Sequence, residues 1–248
     1  GNNKSDNTID FVKIDLQDID SIQMAAKHIE EKYGRCDVLI NNAAVCFNDP
    51  TLYGTVPNTP FDKQAEITVQ TNFFGTLALT KALLPLLQKA TAVSSLPSRI
   101  INIASSAGRL SILPSQERRA AFSSNTLTME VLEGYMKEFV NDAKCGTHRE
   151  KGWPNTGYGV SKVGIIAMTQ ILARQYKYNN NNNIHCSPIM VNSVDPGYCA
   201  TDQNNHQGYI PAEQGAETPY LLATSIIQKS EQEFVTGRHW YQQQQIKW

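Results

Sequence analysis

Short apolar runs alternate along the chain with longer stretches whose apolar residues recur every three or four positions. Ile9 to Leu16 reads as a strand, and Ile19 to Tyr33 as a helix with Ile19, Ile22, Ala26 and Ile29 on one face. Val38 to Asn41 is a buried strand. Phe61 to Gln88 is a long helical stretch interrupted by Gly75 and Pro85, and Ile100 to Ala104 is the next strand. Asn155 to Tyr178 reads as a helix, Ile189 to Val194 as a strand, Pro211 to Gln228 as a helix and Phe234 to Trp240 as a last strand. This alternation predicts an α/β fold with a parallel sheet covered by helices on both faces. The asparagine tract 179–183 and the glutamine tract 242–245 predict solvated loop or tail.

Composition narrows the classes. With 248 residues, 41% hydrophobic and 18% charged, the chain is expected to form one domain over 1–248. A formal net charge of -1 gives no electrostatic footprint for nucleic acid. No apolar run reaches the ~18 residues that would span a bilayer, so no membrane partner is expected. The polar start predicts no signal peptide. Five scattered cysteines, Cys36, Cys46, Cys145, Cys186 and Cys199, predict free thiols in a reducing compartment and hence a cytoplasmic protein. The five histidines are equally scattered, and no metal site is expected.

Tyr158 and Lys162 are four residues apart in Tyr-Gly-Val-Ser-Lys, which puts a phenol and an ammonium on one helical face. A free phenol titrates near ~10, so a tyrosine acid working near neutral pH needs its phenolate stabilised, and a fixed lysine is one way to do it. Four further motifs accompany the pair: Asp-Val-Leu-Ile-Asn-Asn-Ala-Ala ending at Ala44, Thr71-Asn-Phe-Phe-Gly75, Arg99-Ile-Ile-Asn-Ile-Ala-Ser-Ser106 and Val191-Asn-Ser-Val-Asp-Pro-Gly197. In this order, from about Ile9 onward, they resemble the short-chain dehydrogenase/reductase family and its Rossmann-type, doubly wound sheet. Gly152-Trp-Pro154 and Gly215-Ala-Glu-Thr-Pro219 make the chain look most like the carbonyl reductases of that family.

The resemblance implies roles. Tyr158 is the proton donor, Lys162 lowers its pKa and hydrogen-bonds the nicotinamide ribose, and Ser105, with Ser106 as the fallback, holds the developing oxyanion. Asn72 holds a water in a relay from lysine to solvent. Taken singly, Ser105 also reads as a strand-end capping hydroxyl and Asn72 as a helix-kink residue beside Gly75. Asp15 and Leu16 match adenine contacts, Asn41 passes the adenosine ribose, and Pro196, Gly197, Cys199 and Thr201 flank nicotinamide; Pro196-Gly197 alone reads as an ordinary turn. Ala44 stands where the family usually has glycine, a strain if that position needs positive φ. NADP is the cofactor expected from the carbonyl reductase resemblance.

The sequence shows no strand, glycine-rich turn and helix of the kind that receives pyrophosphate, and its first recognisable strand resembles the family's third. The chain is therefore expected to be an N-terminally truncated member lacking the first strands. Fifty-two residues separate Ser105 from Tyr158. This insertion, at about 107–152 with helical character from Thr126 to Val140, resembles that of carbonyl reductases; it is expected to cover a subunit-pairing surface, leaving a monomer, and to wall the pocket with Tyr198. The small-molecule substrate is then a bulky aldehyde, ketone or quinone. Alternative readings are a reductase with a narrow steroid or alkaloid-like substrate, and a catalytically silent remnant that binds or regulates.

Overall fold

The computed structural model describes residues 8–47, 59–94, 96–176, 189–225, 228–230 and 233–248. Its central sheet runs in the order β1 (Val38–Asn41), β2 (Ser98–Ile103), β3 (Ile189–Asp195), β6 (His239–Tyr241), β7 (Gln244–Ile246). The first four are parallel neighbours and β7 returns antiparallel on β6. A separate two-stranded ribbon pairs β4 (Gln228–Ser230) with β5 (Glu233–Phe234). The helices are α1 (Ile19–Tyr33), α2 (Phe61–Val69), α3 (Thr76–Val93), α4 (Gln116–Phe122), α5 (Met129–Lys144), α6 (Gly157–Gln175) and α7 (Ala212–Thr224), with a π-helical segment, Gln70–Gly75, joining α2 to α3.

Period-two alternation in β2 and β3 divides the interior. Ile100 and Val191 enter the larger core with α2, α3, α5 and α6; Ile101 and Val194 face a smaller one with Leu222 of α7 and Trp240 of β6. Both sheet faces are thus covered by helices, which is the doubly wound α/β architecture expected. The insertion folds as α4 and α5, and it buries Phe122, Leu132, Met136 and Phe139 against Trp153 in the larger core. Arg118 lies 3.7 Å from the Trp153 ring centre. Asp142, fully buried on α5, accepts from Trp153 Nε1 at 3.1 Å and from Lys151 Nζ at 2.6 Å.

Several expectations need correction. Residues 8–15 form no strand, and Ile9 and Phe11 are 83% and 93% exposed. A strand needs a neighbour for its N–H and C=O groups, and no described strand runs along the outer edge of β1. Pro85 does not interrupt α3: it lies on the solvent face, where the carbonyl it leaves unpaired meets water. Ile19 is 56% exposed, and Ala25 takes its place on the buried face of α1. The strand expected from Phe234 to Trp240 divides into β5 and β6. The glutamine tract is exposed and half of it is loop, as expected, but Gln244 and Gln245 belong to β7. Gln242 and Gln243, at φ 45° and 61°, form a tight turn between β6 and β7. Gln243 N–H donates to Thr218 Oγ1 at 2.9 Å, and beyond it Trp248 Nε1 donates to Gly108 O at 2.7 Å. The asparagine tract 179–183, and the helix end expected at Tyr178, lie outside the described residues.

Candidate active site

The strands β1, β2 and β3 end together, and the loops leaving their carboxyl ends converge on the first turn of α6. Doubly wound sheets bind ligands at this end. Thr156 caps α6, its Oγ1 accepting from Gly159 N at 3.0 Å, so the helix begins just before Tyr158 and holds Tyr158 and Lys162 one turn apart. Gly108 lets the backbone after β2 press on that turn. A Cβ there would stand 2.8–2.9 Å from Lys162 backbone and Cβ atoms, so only glycine fits.

The Tyr158 phenol has the Ser105 side chain and, from the loop after β3, the Gln203 side chain in its surroundings. Ser105 Oγ accepts from Ala107 N at 3.2 Å, so it is a capping hydroxyl as well as the phenol's neighbour. Ser106, the alternative, is exposed. Lys162 is buried: its Nζ donates to Ile103 O at 2.7 Å and lies over the Tyr158 ring, 5.4 Å from the ring centre. Burial pushes the phenol up to about 12, aided by Cys46 and Asp195 and opposed by Ser105 and Gln203. Burial likewise brings the Lys162 ammonium down to about 8, against the pull of Cys46 and Asp195. Burial thus favours the neutral form of both groups.

Asn72 sits in the π-helical segment, as its kink reading anticipates. Its Oδ1 accepts from Val45 N at 2.8 Å, and its Nδ2 donates to Val45 O at 2.9 Å and to Ser161 Oγ at 3.1 Å. The side chain thereby clamps the strand-end loop after β1 onto α6. Asn41 belongs to a second polar chain. Thr169 Oγ1 donates to Ile165 O, so it must accept from Asn102 Nδ2; Asn102 Oδ1 then accepts from Asn41 Nδ2 at 2.8 Å. That order leaves Asn41 Oδ1 as a buried acceptor with no partner at the carboxyl end of β1.

Beyond β3, Asp195 Oδ1 accepts from Gly197 N at 3.0 Å across a turn with Gly197 at φ 82°, as the plain-turn reading of Pro196-Gly197 requires. Cys199 Sγ donates to Pro196 O at 3.3 Å, and its thiol is pushed up by burial and then by Asp195. Thr201 and Asn204 cap the 3-10 turn that presents Gln203. Tyr198 is 38% exposed and packs on Tyr209, ring centres 5.9 Å apart. Asp15 and Leu16 stand apart from Tyr158: Asp15 Oδ1 accepts from Gln17 N at 2.9 Å in the turn before α1, and the Leu16 backbone rests on Gly75. Ala44 is not among the described residues with positive φ, so the alanine carries no such strain.

The structure therefore gathers Tyr158, Lys162, Ser105 and Asn72 at the carboxyl end of the sheet, where Pro196 and Gly197 turn out of β3. Sequence reasoning passed over Cys46 and Gln203. Cys46 lies two residues beyond Ala44 and was reachable by extending that motif; Gln203 carries no local pattern. A buried ammonium and a phenol suit the nicotinamide-ribose half of a dinucleotide, and the spare Asn41 acceptor, also at the carboxyl end of the sheet, suits the adenosine ribose expected beside it.

A family model described as short chain dehydrogenase matches residues 2–116. Carbonyl reductase [NADPH] 1 of Bos taurus is 37% identical over 214 residues, covering 86% of this chain and 71% of that protein. Carbonyl reductase [NADPH] 3 of Mus musculus is 37% identical over 216 residues, with the same two coverages. Among solved structures, salutaridine reductase from Papaver somniferum superposes with a TM-score of 0.73 at 25% identity, over 92% of this chain and 80% of that one. An NADPH-bound carbonyl reductase from chicken fatty liver gives 0.59 at 21% identity, over 96% and 76%, a likeness of fold.

Proposed function

The chain belongs to the short-chain dehydrogenase family, and on that premise we propose that it is a carbonyl reductase that uses NADPH to reduce an aldehyde, ketone or quinone, with Tyr158 as proton donor. The observation that carries the proposal is the placement of Tyr158 one helical turn from the buried Lys162, whose Nζ lies 5.4 Å from the phenol ring centre and donates to Ile103 O at the end of β2, two residues before Ser105. When bound, the nicotinamide supplies a hydride to the carbonyl carbon. Ser105 donates to the carbonyl oxygen as negative charge builds on it, and Tyr158 gives that oxygen its proton, leaving a phenolate. Lys162 would hold the nicotinamide ribose and support re-protonation of the tyrosine, with the Asn72 clamp keeping the loop after β1 against α6. Asn41 Oδ1 is the acceptor left for a ribose hydroxyl. The relatives named as [NADPH] enzymes support the choice of NADP.

Tyr158→Phe keeps the ring and deletes the proton donor, so the rate of NADPH-dependent carbonyl reduction falls by ~100-fold or more while NADPH affinity barely moves. A Phe variant that keeps most of its turnover would sink the assignment. The reading also makes the protein a cytoplasmic monomer, since α5 packs along α2 and α6 and already covers that face. A dimer mass by light scattering would remove that part. A narrower reading, a reductase dedicated to one steroid or alkaloid-like ketone, draws support from the likeness to a reductase named for salutaridine; a single ketone preferred over all quinones tested would favour it.

A further inference from the structure

We propose that Trp248 is a positioning residue for the carbonyl reduction: its indole N–H, by holding the carbonyl of Gly108, fixes the turn that presents Ser105 beside the turn of α6 that carries Lys162. The proposal deepens the reading of Ser105 as the oxyanion donor and rests on it.

Strand β7 brings Trp248 to this place. Tyr241, Trp240 and His239 of β6 pair with Gln244, Gln245 and Ile246, and Thr218 Oγ1 accepts from Gln243 N at 2.9 Å in the turn between the strands. Just beyond β7, Trp248 is half-buried against the larger core, and its Nε1 donates to Gly108 O at 2.7 Å across 140 positions of the chain. Gly108 closes the 3-10 turn Ser106–Gly108. Its N–H donates to Ser105 O at 2.9 Å, and Ala107 N donates to Ser105 Oγ at 3.2 Å. Gly108 also abuts Lys162, because a Cβ on it would stand 2.8–2.9 Å from Lys162 backbone and Cβ atoms. One glycine thus touches the serine's turn and the lysine's, and the indole holds that glycine.

Shape and placement have different causes in this turn. The bonds to Ser105 O and Oγ run within it, so they set its shape and leave it free to tilt as a unit. Placement needs bonds to other parts of the chain. At the near end Ala104 N donates to Val194 O at 2.7 Å, tying the end of β2 to β3. At the far end Trp248 holds Gly108 O. Ser105 lies between these anchors, so loss of the second lets the serine hydroxyl swing about the first. A donor to a developing oxyanion works by being aimed before the charge appears, so a loosened turn costs turnover and leaves ground-state binding alone.

Trp248→Phe keeps an aromatic ring and deletes the N–H. Amide hydrogen exchange, followed by NMR with neither cofactor nor turnover, is expected to quicken about fivefold at Ala107 and Gly108, as the loss of one ordinary hydrogen bond allows, while Val191 and Val194 of β3 stay as in the wild type. Unchanged exchange at Ala107 and Gly108 overturns the proposal. Equal quickening in β3 overturns it too, because the indole would then serve general stability alone. In carbonyl reduction with NADPH, Trp248→Phe lowers kcat about fivefold with KM little changed. In a Ser105→Ala background the same change costs little further, since the group it aims is gone, and equal costs in the two backgrounds count against the proposal. Full turnover in Ser105→Ala with quickened exchange in Trp248→Phe would overturn the serine's role and leave the tether standing, whereas unchanged exchange with turnover lost in Ser105→Ala would overturn the tether alone.

Discussion

Helices α1 and α6 are both long and well capped, yet they live in different solvents. In α6 almost every residue from Gly157 to Ala173 is buried, whereas α1 buries Ser21, Ile22, Ala25 and Ala26 and leaves Met24 65% exposed. One is hydrophobic nearly all round, as a central helix must be; the other is an amphipathic lid on α3. The proposed catalytic pair, Tyr158 and Lys162, rides on α6. A half-buried tyrosine and a buried lysine on so well packed a helix keep their geometry at little entropic cost, but the same burial forces Lys162 to sit in apolar surroundings. The more rigid site is therefore the one that carries the electrostatic penalty.

The largest test of this contrast is a core truncation beside α6. Trp153→Ala removes the ring on which Phe122, Phe139 and Arg118 pack, and a denaturant melt is expected to show a loss of ~3–5 kcal/mol. Met24→Ala on α1 is expected to stay within ~0.5 kcal/mol. Equal costs would break the comparison.

Next comes the buried ammonium. Its folded pKa is lowered to about 8 by burial, whereas an unfolded lysine titrates near ~10.4. Between those values the unfolded state binds the extra proton, so stability rises with pH across that window and is lost as pH falls through about 8. Raised thiols, Cys36 above all, pull the other way over part of the same window, so the measurement is the change in stability between pH 8 and pH 10 in the wild type minus that in Lys162→Met, which should be positive because the thiols cancel. Above ~10 the raised phenol of Tyr158 pulls the other way, which sets the upper limit of the test.

The smallest effect lies on α1. Lys89 Nζ and Glu30 Oε1 are 2.6 Å apart, but both side chains are more than half exposed. Glu30→Gln is expected to cost at most ~1 kcal/mol, and nothing measurable in high salt. A larger loss would mean that α1 is held by charge rather than by its short apolar face.

What the sequence disclosed follows from how local each cause is. Val38–Asn41 is found at its expected limits because its burial is written in its own residues. Ile9 to Leu16 has the same local character, but strand formation depends on a neighbour, and that information is elsewhere. Tyr158 and Lys162 were legible through helix geometry and Ser105 through its motif. The direction of the tyrosine's shift was not, because burial by the rest of the fold outweighs a nearby cation. Gln242 and Gln243 read as low complexity, yet backbone pairing and Thr218 make them a turn. Gln203 comes near Tyr158 and Cys46 from far along the chain, a proximity no local pattern encodes.

The π-helical segment fixes a phase. Along α2, the segment and α3, the buried positions Ala65, Val69, Phe73 and Leu77 advance in steps of four. A regular helix of 3.6 residues per turn would drift by about 40° at each such step, and the wider π turn absorbs part of that drift. Deleting one residue between Gln70 and Gly75 would rotate everything downstream by about 100°, swinging Leu83 and Leu87 off the sheet while Ala65 stayed against α6. Side-chain exchanges there leave the phase intact, so the number of residues in this segment is itself a specification, one that alanine scanning cannot report and a single codon deletion can.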